Sequence, residues 1–365
     1  MSQPRVDNDT PYTAEPHLLC DVDGDKLCAI VKATFEHVPG PSHPTDGTFE
    51  TAPRLRRRPV RGADVPWGKP DVASIRYPSD LCVRKPGTDV IVVSRAFAPS
   101  GEPVSAFDCG VRIGKLQKLL RVTGTRVWLP HGDGVSSARP IRALDLRYDY
   151  AFGGYDDSDP EKPVEDARNP VGRGIARDTA TLEGQAAPQI EDPQHPIRNA
   201  GSRPKPAGLC AIGRHYEPRR SRWGTYGADW LEKRSPLPPH DFDERANFAA
   251  TPDLIAVPPL MSGEEGALTN LTEGAGSLRF VLPRVRIAIT FRIKGREAVT
   301  VRPYLDTVVL DTLGPIDHRE LSARDPKLPP PPAAPLVVEL VWRAAVLAPR
   351  RLADAEIVVR EEVAK

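Results

Sequence analysis

Proline interrupts this chain too often for long helices. The sequence has 41 prolines among 365 residues, about twice the usual share of roughly 5%. Because proline lacks an amide donor and clashes with the preceding helical turn, it is excluded from helix interiors and central strands. The 28 glycines add further turn positions. No convincing helical period extends over about 12 residues. The sequence therefore predicts short strands joined by turns and loops.

Strand-like runs occupy both ends of the chain. Runs of β-branched and aromatic residues bounded by turn residues are typical of strands. They cover residues 27–36, 74–83, 89–99, 105–114, 118–129, 140–152, 266–274, 278–293 (split at Pro283), 298–312, 336–347 and 356–362. Their spacing predicts a mainly β fold, with antiparallel sandwich or barrel-like sheets, long proline- and glycine-rich central loops and little helix.

Turn residues refine this prediction. Thr123–Gly124 is expected to form a tight hairpin turn, and the segment DPKLPPPPAAP at 325–335 is expected to be a stiff spacer. We expect one β-rich unit over residues 1–365. Its predicted subdivisions are an N-terminal β region, an ordered long-loop region and a C-terminal β region, at 15–152, 153–262 and 263–365.

The central region is poor in apolar runs but rich in aromatic side chains. Disordered segments usually contain few aromatic residues. Here the rings are those of Phe152, Tyr155, Tyr216, Trp223, Tyr226, Trp230, Phe242 and Phe248. Buried rings offset the cost of ordering a chain that proline has already stiffened. Packed, ordered loops are therefore predicted over residues 151–260.

The stretch ARNPVGRGIAR at 167–177 raises the question of a phosphate-binding loop. A dinucleotide fingerprint requires G-x-G-x-x-G between a strand and a helix. Here Gly172-x-Gly174 is followed by Arg177 at the third glycine position, and no apolar strand precedes it. The preferred interpretation is that these glycines, with Gly153 and Gly154, adopt positive φ angles or permit close packing.

The sequence gives only weak signals for a catalytic nucleophile or a metal site. No G-x-S-x-G motif is present. The best metal candidate, PPHDFDE, supplies the side chains of His240, Asp241, Asp243 and Glu244. The preferred alternative is a short helix near 241–250 with Asp241 or Asp243 as its N-cap. We therefore expect neither a metal nor a cofactor.

The richest local cluster is RHYEPRRSRWGTYGADW at 214–230, where arginines alternate with aromatic residues. Such interleaving occurs in nucleic-acid grooves, in protein-interface hot spots and in loops tied together by arginine–aromatic stacking. The formal net charge of +1 weakens the nucleic-acid interpretation. A structural role and a protein interface both remain open.

Compartment is inferred from cysteines and the N-terminus. The five cysteines are odd in number and form no C-x-x-C pair, as expected for free thiols in a reducing compartment. The first 17 residues lack the apolar stretch of a signal peptide. No apolar run has the length of a membrane span. A cytoplasmic protein is predicted.

Several short blocks occur in a fixed order along the chain: VKATF, SIRYPSDL, KPGTDV, YAFGG, NPVGRG, PQIEDP, GTY-x-x-x-W, P-x-DFD, FVLP, LDT and VWR. In this order they resemble an uncharacterised-domain family encoded beside type VI secretion genes. Departures are Gly227, where the pattern suggests aspartate, and Tyr216–Glu217, where it suggests tryptophan. The proline-rich insertion at 325–335 also departs from the pattern.

The resemblance implies a non-enzymatic adaptor or chaperone. Such a protein would bind the PAAR-like N-terminal part of a secreted effector in the cytoplasm and load it onto the VgrG spike. Nucleic acid and membrane are not implied partners. The alternative is a hydrolase-type enzyme with a pocket formed by the 151–260 loops. A spike component is a third interpretation, but the trimeric β-helix repeats it needs are absent from the sequence.

Candidate residues follow from these blocks. Predicted partner-binding residues are Arg173, Arg219, Arg222, Trp223, Tyr226 and Trp230. Predicted structural residues are Phe152, Gly153, Gly154, Asn169, Pro170, Gly172, Gly174, Gly224, Thr225, Asp241, Phe242 and Asp243.

Overall fold

The computed structural model describes residues 3–37, 54–70, 72–99, 101–314 and 335–362. The predicted spacer at 325–335 lies outside these residues, apart from Pro335. The chain is mainly β, with 42% strand and 10% helix. The strands are β1 (Arg5–Asn8), β2 (Thr13–Asp21), β3 (Gly24–His37), β4 (Arg54–Arg56), β5 (Val65–Pro66), β6 (Ile75–Tyr77), β7 (Thr88–Val93), β8 (Arg95–Phe97), β9 (Ala106–Ile113), β10 (Leu116–Thr123), β11 (Ala143–Asp145), β12 (Phe152–Gly153), β13 (Tyr155–Asp156), β14 (Val164–Glu165), β15 (Arg173–Gly174), β16 (Ile190–Glu191), β17 (Ile255–Ala256), β18 (Glu265–Thr272), β19 (Ala275–Val281), β20 (Ile287–Ile293), β21 (Val299–Val301), β22 (Leu305–Asp311), β23 (Leu336–Leu347) and β24 (Ala355–Glu361).

Helices are short. In the described part of the chain, α1 (Arg219–Arg222) and α2 (Ala228–Lys233) are the α-helices, and single 3-10 turns supply the remainder. Neither α-helix has the length or the apolar character needed to cross a lipid bilayer. The prediction of little helix is confirmed.

Three larger sheets carry the fold. The first has the strand order β17-β7-β22-β23-β3-β2, with β4 also paired to β3; the second has β16-β10-β9-β18-β19; the third has β1-β24-β20-β21. Most pairs are antiparallel, but β7 pairs with β22, and β1 with β24, in parallel. The sheets formed by the described residues are open, so the barrel-like alternative is not realised.

The sheets connect the predicted subdivisions of the chain. β7, from the N-terminal region, pairs with β22 from the C-terminal region, and β9 pairs with β18 in the same way. One hydrophobic core also collects side chains from all three regions, including Leu27, Leu209 and Leu340. A smaller cluster beneath the central loops contains Trp128 and Phe152.

The predicted hairpin at Thr123–Gly124 is wrong. The turn between β9 and β10 lies at Gly114–Lys115, because Ile113 is paired with Leu116. At Gly124 the chain instead leaves the sheet beside another segment. A Cβ atom there would lie 1.6 Å from the Arg139 carbonyl oxygen. Glycine is needed at this position for close approach of two backbones.

Two predicted strands are much shorter than expected. The run at 74–83 forms only β6, which ends directly before Pro78. The run at 140–152 forms β11 and then the 3-10 turn Tyr148–Tyr150 before β12. Alternating apolar residues therefore do not form a long strand where proline or a tight turn prevents pairing with a neighbouring strand.

The first sheet, with seven strands including β4, has two chemically different faces. One face is apolar and includes Val31, Val338, Leu340 and Trp342, all within the main core. The opposite face carries buried polar and charged side chains, namely Lys32, Thr34, Asp89, Thr307, Asp311, Glu339 and Arg343. Since side chains alternate along a strand, both sets come from the same strands.

A buried ion network lies on the charged face. Lys32 Nζ is 2.8 Å from an Asp80 carboxylate oxygen and 3.3 Å from one of Glu339. Arg58 contacts Glu339 at 3.0 Å, and Arg61 forms a further ion pair with Glu339. Asp80, Arg58 and Arg61 come from the chain that covers this face. The covering segment, at 57–70 and 72–85, is thus held to the sheet by ion pairs.

The network continues towards β22. Arg343 forms an ion pair with Asp306 and donates to the Asp80 carbonyl oxygen from Nε at 3.0 Å. Lys85 Nζ lies 2.8 Å from both Asp89 Oδ2 and Thr307 Oγ1. The carboxylates thus meet several donors each, as buried charges require.

The surrounding charges decide the protonation of the carboxylates. Burial alone raises the pKa of Asp80 and of Glu339, but the cations Lys32 and Arg61 overcome this effect and hold each pKa below its usual value. At Asp311 burial prevails, and the pKa is raised despite a 2.7 Å hydrogen bond from the Tyr77 hydroxyl.

Removing the central cation is expected to destabilise the protein strongly. Lys32→Met leaves Asp80 and Glu339 buried with fewer partners, so we expect the free energy of unfolding to fall by about 3–5 kcal/mol. Urea denaturation followed by fluorescence measures this change. Lys26→Met on the same strand is the control, because its partner Asp23 is 65% exposed; an effect of equal size there would contradict the expectation.

Acid is expected to weaken the same network. The stabilisation from Asp80 and Glu339 is complete above their unfolded pKa values and is lost as pH falls through their lower folded pKa values. Glu339→Gln should therefore make the free energy of unfolding less dependent on pH below about pH 5. Urea denaturation between about pH 7 and pH 3 measures this slope. An unchanged slope would show that Glu339 does not titrate in this way.

Candidate functional site

The central region carries five aromatic or aliphatic side chains on the two α-helices and the turns next to them. Trp223 packs against Phe242 with ring centroids 5.7 Å apart. Tyr226 meets Trp230 at 4.7 Å in a T-shaped arrangement. Leu231 of α2 follows Trp230 in the sequence, and its side chain is exposed. We call this group the aromatic platform: Trp223, Tyr226, Trp230, Leu231 and Phe242.

The polar atoms of the two tryptophans are satisfied within the protein. Trp223 Nε1 donates to the Arg214 carbonyl oxygen at 3.2 Å, and Trp230 Nε1 donates to the Leu237 carbonyl oxygen at 2.8 Å. The ring orientations are thereby restrained. Tyr226 is 53% exposed and Leu231 is 66% exposed. Tyr226 therefore presents apolar surface to solvent against the restrained Trp230 ring, and Leu231 presents more surface next to it in sequence.

A turn between the helices is held from outside by Asp241. Its carboxylate accepts from the Thr225 amide at 3.0 Å and from the Thr225 hydroxyl at 2.8 Å. These hydrogen bonds hold the pKa of Asp241 below its usual value. Gly224 has a φ of +87°, and a Cβ atom there would lie 2.7 Å from Asp241 Oδ1. Glycine is required at this turn because its φ is positive and because a Cβ atom would clash with Asp241.

Asp243 has a different role from Asp241. It is the N-cap of the 3-10 turn Glu244–Asn247 and accepts a hydrogen bond from the Arg245 amide. The short helix expected near 241–250 is thus a 3-10 turn. Within the described ranges, no group of three or more histidine, cysteine or acidic side chains is arranged to hold a metal ion.

Arg219 is misplaced in the predicted partner-binding set. It is only 4% exposed. Its guanidinium donates to the carbonyl oxygens of Ala246 and Ile212, at 3.0 and 2.7 Å. Burial lowers its pKa. Arg219 therefore ties α1 to the following loop, whereas Arg222 on the same helix is half-buried.

The glycine-rich stretch is organised by Asn169. Its side-chain amide donates to the carbonyl oxygens of Tyr148 and Phe152, both at 2.9 Å. A Cβ atom on Gly153 would lie 2.2 Å from the Asn169 carbonyl oxygen, and one on Gly172 would lie 2.4 Å from Asn169 Nδ2. The glycines let the backbone pack around one buried asparagine.

The backbone amides of this stretch are used internally. β12 pairs in parallel with β15, which places Phe152 beside Arg173. The amides of Gly154 and Gly172 both donate to the Asn169 carbonyl oxygen, and Gly154 and Gly174 have positive φ angles. Pro170, directly after Asn169, is half-buried. Because these amides already have acceptors, the loop does not present them to a phosphate.

Arginine–aromatic stacking lies mostly outside the predicted cluster. Within 214–230 the structure brings Arg214 over the Trp223 ring at 5.3 Å. Six further contacts connect arginines and rings of three other segments, at residues 61–77, 147–150 and 173. The Arg-Tyr pairs in SIRYPSD and LRYDY were the available signal. Their separation along the chain concealed that Arg76 and Arg147 both approach the Trp67 ring.

Loss of the Asp241 carboxylate is expected to loosen the turn between the helices. Asp241→Ala should increase hydrogen exchange at the Thr225 amide, because that amide loses its acceptor. Mass spectrometry of peptides covering 223–227 measures this exchange. Asp243→Ala is the matched control and should increase hydrogen exchange at the Arg245 amide instead. Equal exchange at Thr225 in both variants would contradict the assigned role of Asp241.

Comparison with known proteins adds one match. A model of the bacterial protein family described as "Uncharacterized protein conserved in bacteria (DUF2169)" matches residues 23–319, which is most of the chain. No curated protein and no solved structure matches.

Proposed function

The chain belongs to the DUF2169 family of bacterial proteins, and we propose that it is a non-enzymatic adaptor that binds another protein through the aromatic platform. The observation that carries this proposal is the exposure of Tyr226 and Leu231 beside restrained rings. Aromatic side chains are enriched at the energetic centres of protein interfaces. A ring that is held in place before binding loses little conformational freedom on association.

The scaffold suits such a role. The platform lies on loops whose backbone is fixed by Asp241, by Asp243 and by the buried Arg219. Binding residues are commonly carried on loops that a rigid framework positions. The formal net charge of +1 supplies no strong field for nonspecific attraction. Recognition at the platform would therefore depend on shape and apolar contact.

The finer proposal concerns the partner and the place of action. The sequence blocks that resemble type VI secretion accessory proteins support an effector with a PAAR-like N-terminal part as the partner. The adaptor would keep this part soluble in the cytoplasm and deliver it to the VgrG spike. An enzyme with a pocket formed by the 151–260 loops is the competing proposal.

Removing the exposed apolar side chains is expected to weaken partner binding. Tyr226→Ala combined with Leu231→Ala should reduce affinity for the captured partner at least about tenfold, as interface anchors do. The tagged protein is used as bait in lysate from cells that express the secretion genes, and mass spectrometry identifies the partner. Calorimetry on the purified partner then gives the affinity.

The control removes comparable surface elsewhere. Leu119 and Val281, on β10 and β19, are 45% and 50% exposed. Leu119→Ala combined with Val281→Ala should leave affinity unchanged, and both double variants should retain the parent unfolding midpoint. Equal loss of affinity in both would contradict a localised platform. Absence of any protein captured by the parent but not by the platform variant would contradict the adaptor proposal and favour a search for a substrate.

A further inference from the structure

A continuous row of alternating arginine and aromatic side chains runs between segments far apart in sequence. Arg61 lies 4.6 Å from the centroid of the Tyr77 ring, and Arg76 lies 5.3 Å from the same ring. Arg76 also lies 4.8 Å from the Trp67 ring. The row thus begins at the buried ion network and extends along β6 to Trp67.

The row continues through the central region. Arg147 lies 5.5 Å from both the Trp67 and the Tyr150 rings. Arg173 lies 4.8 Å from the Tyr150 ring. Tyr77 and Arg76 are buried, whereas Trp67 and the last three members are half-buried. We call this set the arginine–aromatic row: Arg61, Tyr77, Arg76, Trp67, Arg147, Tyr150 and Arg173.

The charges of the row are unequally balanced. Arg61 is paired with Glu339, and Arg147 is paired with Asp149 at 2.9 Å. Among the described residues, Arg173 has neither an ion pair nor a side-chain hydrogen bond to an acceptor. Arg173 therefore presents a positive charge that no carboxylate of the described residues neutralises.

Two members of the row have buried donor atoms without an acceptor in the described part of the chain. Arg76 is 8% exposed, and its Nε atom has no hydrogen-bond partner among the described residues, although its Nη2 donates to the Gly314 carbonyl oxygen at 3.0 Å. Trp67 Nε1 is likewise buried without a partner among these residues. A buried donor without an acceptor is costly. Because both donor atoms are closed to solvent, Arg173, which is half-buried, is the member of the row that an anion from solvent can reach.

We propose that the arginine–aromatic row is a second docking surface, which receives an acidic segment of the partner protein. The proposal deepens the adaptor function and rests on it. Guanidinium groups bind carboxylates through two parallel hydrogen bonds, and stacking on a ring leaves the edge of the guanidinium free for this contact. Arg173 is the accessible end at which a carboxylate binds.

Charge balance favours an acidic protein segment over nucleic acid. A nucleic acid carries a dense, regular line of phosphates and requires many cations along its path. Here Arg147 is neutralised by Asp149, and nearby Arg95 is neutralised by Asp145 at 2.6 Å. A single free cation beside an aromatic ring, Arg173 beside Tyr150, matches a protein segment that offers individual carboxylates rather than a line of phosphates.

The test uses a fluorescein-labelled peptide of ten glutamates and the full-length protein. Fluorescence anisotropy should show binding that weakens as NaCl is raised, because the attraction is electrostatic. Arg173→Gln should weaken binding about twofold to fivefold, as loss of one solvent-accessible ion pair does. Arg173→Lys should bind the peptide with an affinity between those of the parent and of Arg173→Gln, since lysine keeps the charge but lacks the planar guanidinium.

Arg177→Gln is the matched control. Arg177 is an exposed arginine four residues away that approaches Asp159 at 3.5 Å and lies outside the row. It should leave binding unchanged. Failure of the peptide to bind, equal binding by the parent and Arg173→Gln, or the same loss in Arg177→Gln would overturn the proposal. Tighter binding of a ten-nucleotide oligothymidine would do so as well and would identify a nucleic-acid surface.

The natural partner separates this proposal from the adaptor function itself. If Arg173→Gln weakens capture of the partner, both proposals are supported. If the platform variant loses the partner while Arg173→Gln retains it and the peptide does not bind, the adaptor function stands and the second docking surface is wrong. If no protein partner is captured but the peptide binds through Arg173, the anion site stands without the adaptor function.

Discussion

The buried ion network on one face of the seven-stranded sheet is the constraint on which the rest of the structure depends. A sheet with two apolar faces accepts any apolar cover, whereas Lys32 and Glu339 accept only a cover that brings Asp80, Arg58 and Arg61 to defined positions. Leaving any of these charges unpaired would be costly. The network thereby selects one position for the covering segment over the sheet.

That position in turn sets the arginine–aromatic row. Arg61 belongs both to the network and to the row, because it pairs with Glu339 and stacks on Tyr77. β5 and β6 then carry Trp67 and Arg76 towards the central loops, where Arg147 completes the contact. The proposed docking surface is therefore an extension of the interactions that hold the cover in place.

The aromatic platform is built on a different principle. Its parts lie within a short stretch of chain, and local hydrogen bonds fix it: Asp241 holds Thr225, and the indole N–H groups of Trp223 and Trp230 bond to nearby carbonyls. Arg219 joins it to the core. The two proposed binding surfaces thus have different origins: one depends on long-range ion pairs and the other on local turns.

Local chemistry was readable from the sequence. Proline frequency, β-branched runs and turn residues determined a mainly β chain with little helix, and β23 coincides with the predicted strand at 336–347. The tertiary structure decided which distant segments meet, and local sequence patterns do not specify these contacts. The pairing of β7 with β22, the burial of Arg219 and the meeting of Trp67 with Arg147 all join distant residues. Propensity acts between neighbours in sequence, whereas burial and ion pairing depend on which distant segments the whole fold brings together.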